Sequence, residues 1–167
     1  MISISEPYID NLEIKYLKKV LSKKNFTDNF FQRSCENLIS KIIKKNVFLT
    51  QSCSDALEIS AILLNLKKGD EVLLPSYTFS STANAIVHRS AKPVFVDVNK
   101  ETLCIDLDDL EKKITKKTKA IYVVHYGGNS CDIAKLLKIK KKYNLYLVED
   151  AAHAFLAKYK NNYLGTI

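Results

Sequence analysis

The stretch Leu145-Tyr-Leu-Val-Glu-Asp-Ala-Ala-His-Ala154 decides how this chain is read. Leu145 to Val148 is a short apolar run, rich in strand formers, and it stops abruptly at two carboxylates, Glu149 and Asp150. That pattern predicts a buried strand of a parallel sheet. In open α/β sheets ligands sit at the carboxyl ends of the strands, so the acidic pair lies where chemistry is expected. Ala151 and Ala152 are small enough for a ligand to approach closely, and His153 completes a compact polar end. A strand-end Asp that merely caps the next segment has the same local appearance, so the remainder of the chain must discriminate.

Outward from this strand the sequence alternates between strand and helix patterns. Upstream of it, Asp132 to Tyr143 is a helical pattern and Ala120 to His125 a strand. Asp106 to Ile114 is a short helix with Asp106 as N-cap and Leu107, Leu110 and Ile114 inward, and Pro93 to Val98 is a strand. Ser80 to Arg89 is helical, Glu71 to Leu74 a strand closed by Pro75, Ser54 to Leu66 an apolar helix stopped near Gly69, and Val47 to Thr50 a short strand. Helices between successive strands imply an α/β fold with a mostly parallel sheet and right-handed crossovers. Before residue 47, Leu12, Tyr16, Leu17, Val20 and Leu21, then Phe31, Cys35, Leu38, Ile39 and Ile42, recur at helical spacing on either side of a break at Asn25 to Asp28. Both helices are expected to contribute simple core packing. After Ala154, Phe155 to Tyr159 and Tyr163 to Leu164 read as a hairpin turning at Asn161-Asn162.

With 167 residues and 47% hydrophobic content, one domain with a real core is expected. No apolar run reaches 18 residues, and Met1 to Pro7 lacks the basic start and apolar stretch of a signal peptide, so a cytoplasmic protein is expected, with no membrane partner. Cys35, Cys53, Cys104 and Cys131 stand far apart without a C-x-x-C pair, and are read as reduced thiols rather than as a metal site. The net charge of +8 comes from scattered lysines; only Arg33 and Arg89 are arginine. With only two arginines and no interleaved aromatics this is a lysine-rich solvated surface rather than a nucleic-acid footprint, though the excess favours an anionic small-molecule substrate. His88, placed mid-helix, receives no role.

Three elements converge on one sheet edge. Thr50-Gln-Ser-Cys-Ser-Asp-Ala56 runs from a strand end through small polar residues into a helix, an arrangement that binds phosphate, although a plain Ser N-cap looks the same. Pro75-Ser-Tyr-Thr-Phe-Ser-Ser-Thr-Ala-Asn84, again at a strand end, offers Tyr77 and Phe79 among hydroxyls, either for stacking on a planar heterocycle or for core packing. Asp150 and His153 form the third element, with His125-Tyr-Gly-Gly128 behind them. Phosphate cradle, stacking ring and buried strand-end Asp are what pyridoxal 5'-phosphate requires, since the Asp keeps the pyridine nitrogen protonated. A Rossmann or receiver-like module is a poor alternative, because no G-x-G-x-x-G is present.

Ser52-Cys-Ser-Asp-Ala-Leu57, Gly69-Asp-Glu-Val-Leu-Leu-Pro-Ser-Tyr-Thr-Phe79, Phe95-Val-Asp-Val98, Val124-His-Tyr-Gly127 and Val148-Glu-Asp-Ala-Ala-His153 resemble, in order, the successive motifs of the DegT/DnrJ/EryC family of nucleotide-sugar aminotransferases of fold type I. Ser76 to Ala85 and Val124 to Gly127 look closest to its TDP-4-keto-6-deoxyglucose transaminases, which serve surface-polysaccharide synthesis. The resemblance implies that Cys53 and Ser54 hold the cofactor phosphate, Phe79 stacks on the ring, Asp150 pairs with the pyridine nitrogen and His153 sits near the ring hydroxyl. It also implies glutamate as amino donor, a nucleotide-linked keto sugar as acceptor, and a homodimer in which the partner subunit completes the site. Residues 1–46 would be N-terminal helices and 47–167 the front of the cofactor-binding large domain, without the small C-terminal domain.

Two departures stand out. Asp55 occupies a place where the family has a small residue, and its carboxylate would repel a phosphate unless it turns to solvent. The family's lysine, which binds the cofactor covalently, lies beyond a Leu-Gly-Thr-Ile-Gly motif, and Leu164-Gly-Thr-Ile167 is where this chain stops. Neither Lys158 nor Lys160 matches the lysine motif, and no polar tail or closing helix marks a natural terminus. The chain is therefore expected to hold less than half of a family member and to be inactive alone. Two rivals accompany this reading: a pyridoxamine-phosphate-dependent sugar dehydratase, in which a histidine replaces that lysine, and a non-catalytic fragment of a disrupted or split gene.

Overall fold

In the computed structural model, which describes residues 7–23, 27 and 29–167, a four-stranded parallel sheet carries the fold. Its strands are β1 (Glu71–Pro75), β2 (Lys92–Val96), β3 (Thr118–Val124) and β4 (Tyr146–Asp150), in spatial order β2-β1-β3-β4. The helices are α1 (Asn11–Ser22), α2 (Phe30–Ile43), α3 (Cys53–Leu63), α4 (Ser80–Val87), α5 (Leu107–Lys113) and α6 (Ile133–Tyr143). A parallel pair needs a crossover between its strands, and α4, α5 and α6 supply them.

The two-residue alternation of the strands divides the core into two layers. Leu73 of β1 and Ile121 and Val123 of β3 point to one face, where they meet Leu107 and Leu110 of α5 and Ile133, Leu136 and Ile139 of α6. Val72, Leu74, Ala120 and Tyr122 point to the other, against Leu57 and Ala61 of α3 and Ala85 and Ile86 of α4. Each fully buried Leu or Ile contributes about 1.5–3 kcal/mol relative to exposure. A polar atom in the second layer, Tyr122 Oη, is matched by Ser60 Oγ at 2.8 Å.

The N-cap predicted at Asp106 forms, and Asp132 caps α6 in the same way. Asp106 accepts from the N–H groups of Asp108 and Asp109, and Asp132 from that of Lys135. Helices α3 and α4 end at Leu63 and Val87, two or three residues before the expected Leu66 and Arg89. Asn65 and Ser90, both with positive φ, break the helical path just beyond those ends. His88 is the C-cap of α4 and pairs with Glu58 on the surface at 3.2 Å.

Four expectations are corrected. Val47 to Thr50 is not a strand: no described strand lies beside it to form a ladder, and Leu49 N–H instead donates to Glu36 Oε1 at 3.0 Å. Helices α1 and α2 contribute nothing to either core layer; no described residue of theirs is buried, and they meet through an edge-on contact of Tyr16 with Phe31. The break between them, apart from Thr27, lies outside the described residues, as do Met1 to Glu6. Strand β4 is only half-buried, because it pairs with β3 alone and stands at the edge of the described sheet. The hairpin forms from β5 (Lys158–Tyr159) and β6 (Asn162–Tyr163), but it turns at Lys160-Asn161, where Lys160 takes the left-handed conformation. All four cysteines are free thiols.

Candidate active site

Strand order reverses at β1, which has β2 on one side and β3 on the other. The loops leaving β1 and β3 at their carboxyl ends therefore diverge, and the crevice between them is where an α/β sheet takes a ligand. Here it is a cavity of about 460 Å³. Cys53, Ser54, Phe79, Asp150 and His153, the five site residues expected from the sequence, all line it. They come from three places: the first turn of α3, the loop after β1, and the end of β4 with its following loop.

Asp150 is buried at the cavity floor, 6% exposed. Its Oδ1 accepts from Cys53 Sγ at 3.5 Å and from Ala152 N–H at 3.2 Å, and its Oδ2 accepts from Thr82 Oγ1 at 3.2 Å. With the Thr82 proton committed to Asp150, Thr78 Oγ1 donates to Thr82 Oγ1 at 2.8 Å. Thr78 and Thr82 are four residues apart across the start of α4, a spacing that places two hydroxyls on one helix face. Each carboxylate oxygen has room for about two donors, so Oδ2 keeps one acceptor position open.

Burial, the Asp150 charge and the bond to Asp150 together push the Cys53 thiol from 9.0 up to about 11. Cys53 is therefore a neutral donor in this site. The first backbone bond of α3 runs from Ala56 N–H to the Ser52 carbonyl, which leaves the amides of Cys53 and Ser54 ahead of the helical ladder. Asp55 does not line the cavity; it is exposed, and its Oδ2 accepts from Ser52 Oγ at 2.8 Å while its own N–H donates back to Ser52 Oγ at 3.1 Å. The capping geometry keeps the Asp55 carboxylate out of the cavity lining.

Opposite α3 stand three rings. Tyr77 Oη donates to Tyr126 Oη at 2.9 Å, their centroids are 4.5 Å apart, and Tyr126 meets His153 edge-on at 5.2 Å. The bond to Tyr126 raises the Tyr77 hydroxyl above its ordinary pKa. Phe79 is 74% exposed and lines the cavity rather than packing into the core. Gly128, beside this corner, has φ +82°, a conformation that favours glycine over residues with a Cβ.

Sequence reasoning missed Thr82 and Tyr126 as members of the site. Thr82 carried a signal, a hydroxyl one helical turn after Thr78. Tyr126 stood beside a strand-end histidine that drew attention first.

The sequence matches the DegT/DnrJ/EryC1/StrS aminotransferase family over residues 7–167, and the chain belongs to that family. Among curated relatives, the GDP-perosamine synthase of Escherichia coli O157:H7 is 34% identical over 99% of this chain and 46% of its own length. Among solved structures, an aminotransferase from Psychrobacter cryohalolentis superposes with a TM-score of 0.91 at 30% identity, covering 95% of this chain and 41% of that one. The GDP-4-keto-6-deoxy-D-mannose-3-dehydratase of E. coli, solved with bound hydrated pyridoxal phosphate, gives 0.89 at 29% identity, over 95% of this chain and 43% of its own. The chain thus spans less than half the length of each of these proteins. The fold is that of the large α/β layer of fold type I enzymes, in part.

Proposed function

We propose that this chain forms the cofactor-binding front of a pyridoxal-phosphate-dependent aminotransferase that moves an amino group from glutamate to a nucleotide-linked keto sugar. The observation that carries the reading is Asp150, a buried carboxylate at the floor of a cavity that the N-terminus of α3 and the exposed Phe79 also line. The residues fit the group. Asp150 has one acceptor position left for a ring N–H. The amides of Cys53 and Ser54, backed by the positive end of α3, suit a phosphate. Phe79 offers a flat face, and His153 stands beside Tyr126 at the rim, near the expected ring hydroxyl.

Bound there, pyridoxal phosphate supplies the electron sink that amino-group transfer needs. The protein's part is to hold the ring nitrogen protonated through Asp150, to keep Asp150 oriented through Thr82, Cys53 and the Ala152 amide, and to line the mouth with apolar and aromatic surface that excludes water. No lysine lines the cavity among the described residues; on this reading a lysine that anchors the cofactor and moves the proton is supplied from outside the cavity lining, and the chain alone does not complete the reaction. Residues 47–167 then make up the front of the large domain, and in the whole enzyme a second subunit completes the site.

The relatives reported above that are named for a nucleotide sugar are named for GDP sugars, so the narrower expectation of TDP-4-keto-6-deoxyglucose draws no support from them. The proposal therefore stands at the level of a nucleotide-linked keto sugar. A dehydratase among the solved relatives favours one rival chemistry on the same cofactor cradle. Titration with pyridoxamine phosphate, which lacks the aldehyde that would label surface lysines, tests the cradle directly. Calorimetry is expected to show binding by the wild-type chain, weakened at least about tenfold in Asp150→Asn, which replaces a charge-assisted bond by a neutral one. Absence of wild-type binding would sink the proposal.

A further inference from the structure

Behind the cavity floor lies a second buried polar cluster that the cofactor reading does not use. Successive strand residues face opposite sides, so Glu149 points away from Asp150. His125 is 1% exposed and the Glu149 side chain 6%. His125 Nε2–H donates to Glu149 Oε2 at 2.8 Å, and the His125 Nδ1 has no partner among the described residues. The same carboxylate collects two backbone donors from the far end of the chain: Gly165 N–H to Oε2 at 3.0 Å and Ile167 N–H to Oε1 at 2.7 Å. A buried carboxylate is tolerated only when its donors are supplied in this way, and losing one leaves a buried group unsatisfied.

The tethered segment lies against the cavity loop. Gly165 has φ +82°, and a Cβ built on it would sit 2.9 Å from the Ala151 Cβ, closer than side chains pack. Ala151 begins the loop whose Ala152 N–H holds Asp150 and whose Ala154 N–H donates to the Ala151 carbonyl at 2.8 Å. His125 N–H also donates to the Asp150 carbonyl at 3.0 Å, joining the end of β3 to the end of β4.

We propose that Glu149 is a positioning residue, whose carboxylate pins Gly165 and Ile167 beneath the loop 150–154 and thereby holds Asp150 and His153 in place. The proposal deepens the cofactor reading of Asp150 and rests on it for its meaning, but its test needs no ligand. Amide hydrogen exchange is measured by NMR on the full chain, wild type against Glu149→Gln. A glutamine has one acceptor oxygen where the glutamate has two, and its amide group turns a donor toward a backbone N–H. Exchange at Gly165, Ile167, Ala152 and Ala154 is expected to rise at least about tenfold, with Ile121 and Tyr122 of β3 unchanged. Unchanged rates at Ala152 and Ala154, or an equal rise everywhere, would overturn the proposal.

Should Glu149→Gln fail to fold, Gly165→Ala leaves the buried pair intact and pushes the segment off Ala151. The same local pattern is then expected, and wild-type rates in the loop would refute the positioning role. Failure of pyridoxamine phosphate to bind would remove the cofactor reading while leaving these exchange rates as they are.

Discussion

At the residue scale, the contact between Cys53 and Asp150 is chemically legible in the thiol. A thiol at about 11 is ionised in roughly one molecule in a thousand at pH 8, against about one in ten for a thiol near 9. Because a more basic thiolate is also the stronger nucleophile, alkylation of Cys53 by iodoacetamide at pH 8 is expected to be roughly tenfold slower than that of an ordinary exposed cysteine, measured by peptide mass spectrometry. Asp150→Asn removes a neighbouring negative charge that opposes the thiolate, so it should lower the thiol's pKa and speed labelling. A rate in Asp150→Asn equal to wild type would mean that the thiol does not sense the carboxylate. The five site residues named from the sequence share one cavity because strand-end chemistry is local: each lies next to the strand or helix terminus that its own motif announces. The bond from Thr82 to Asp150 and the bond between His125 and Glu149 were not readable, since they depend on how α4 and β3 register against β4.

At the element scale, α5 joins a well-formed cap to a buried stripe. Asp106→Ala orphans the N–H groups of Asp108 and Asp109 and is expected to cost about 1–2 kcal/mol in chemical denaturation. Leu110→Ala, at a fully buried position, should cost about 2–5 kcal/mol, because a cavity is added to the lost transfer energy. The parallel strands and capped helices could be placed to within a few residues because alternation, caps and stop residues are intrinsic to each segment. Val47 to Thr50 could not, for a strand exists only beside a partner, and apolar residues alone do not report one. Nor could helical periodicity in α1 and α2 say what their apolar faces meet.

At the scale of the whole molecule, two properties follow. Thr115 and Lys92 hold the Glu71 carboxyl below the ordinary carboxylate range, and the Asp97 N–H and Lys113 do the same for Asp109. A depressed folded-state pKa adds stability that is complete above the unfolded value, near pH 4, and is lost as pH falls through the folded value. The melting temperature should accordingly hold through mild acid and drop below about pH 4, with a shallower drop in Glu71→Gln. The apolar face shared by α1 and α2, with Leu12, Tyr16, Leu17 and Val20 around a groove of about 750 Å³, should bind the dye ANS, and Leu17→Lys should reduce its fluorescence without moving the melting temperature. Time enters through the bond from Cys53 to Asp150, whose partners are 97 residues apart. At roughly 5–20 residues per second, a ribosome makes Asp150 about 5–20 s after Cys53. The cavity floor is thus the late event of synthesis, and a nascent chain carries the N-terminus of α3 for seconds before the carboxylate that completes the pocket exists.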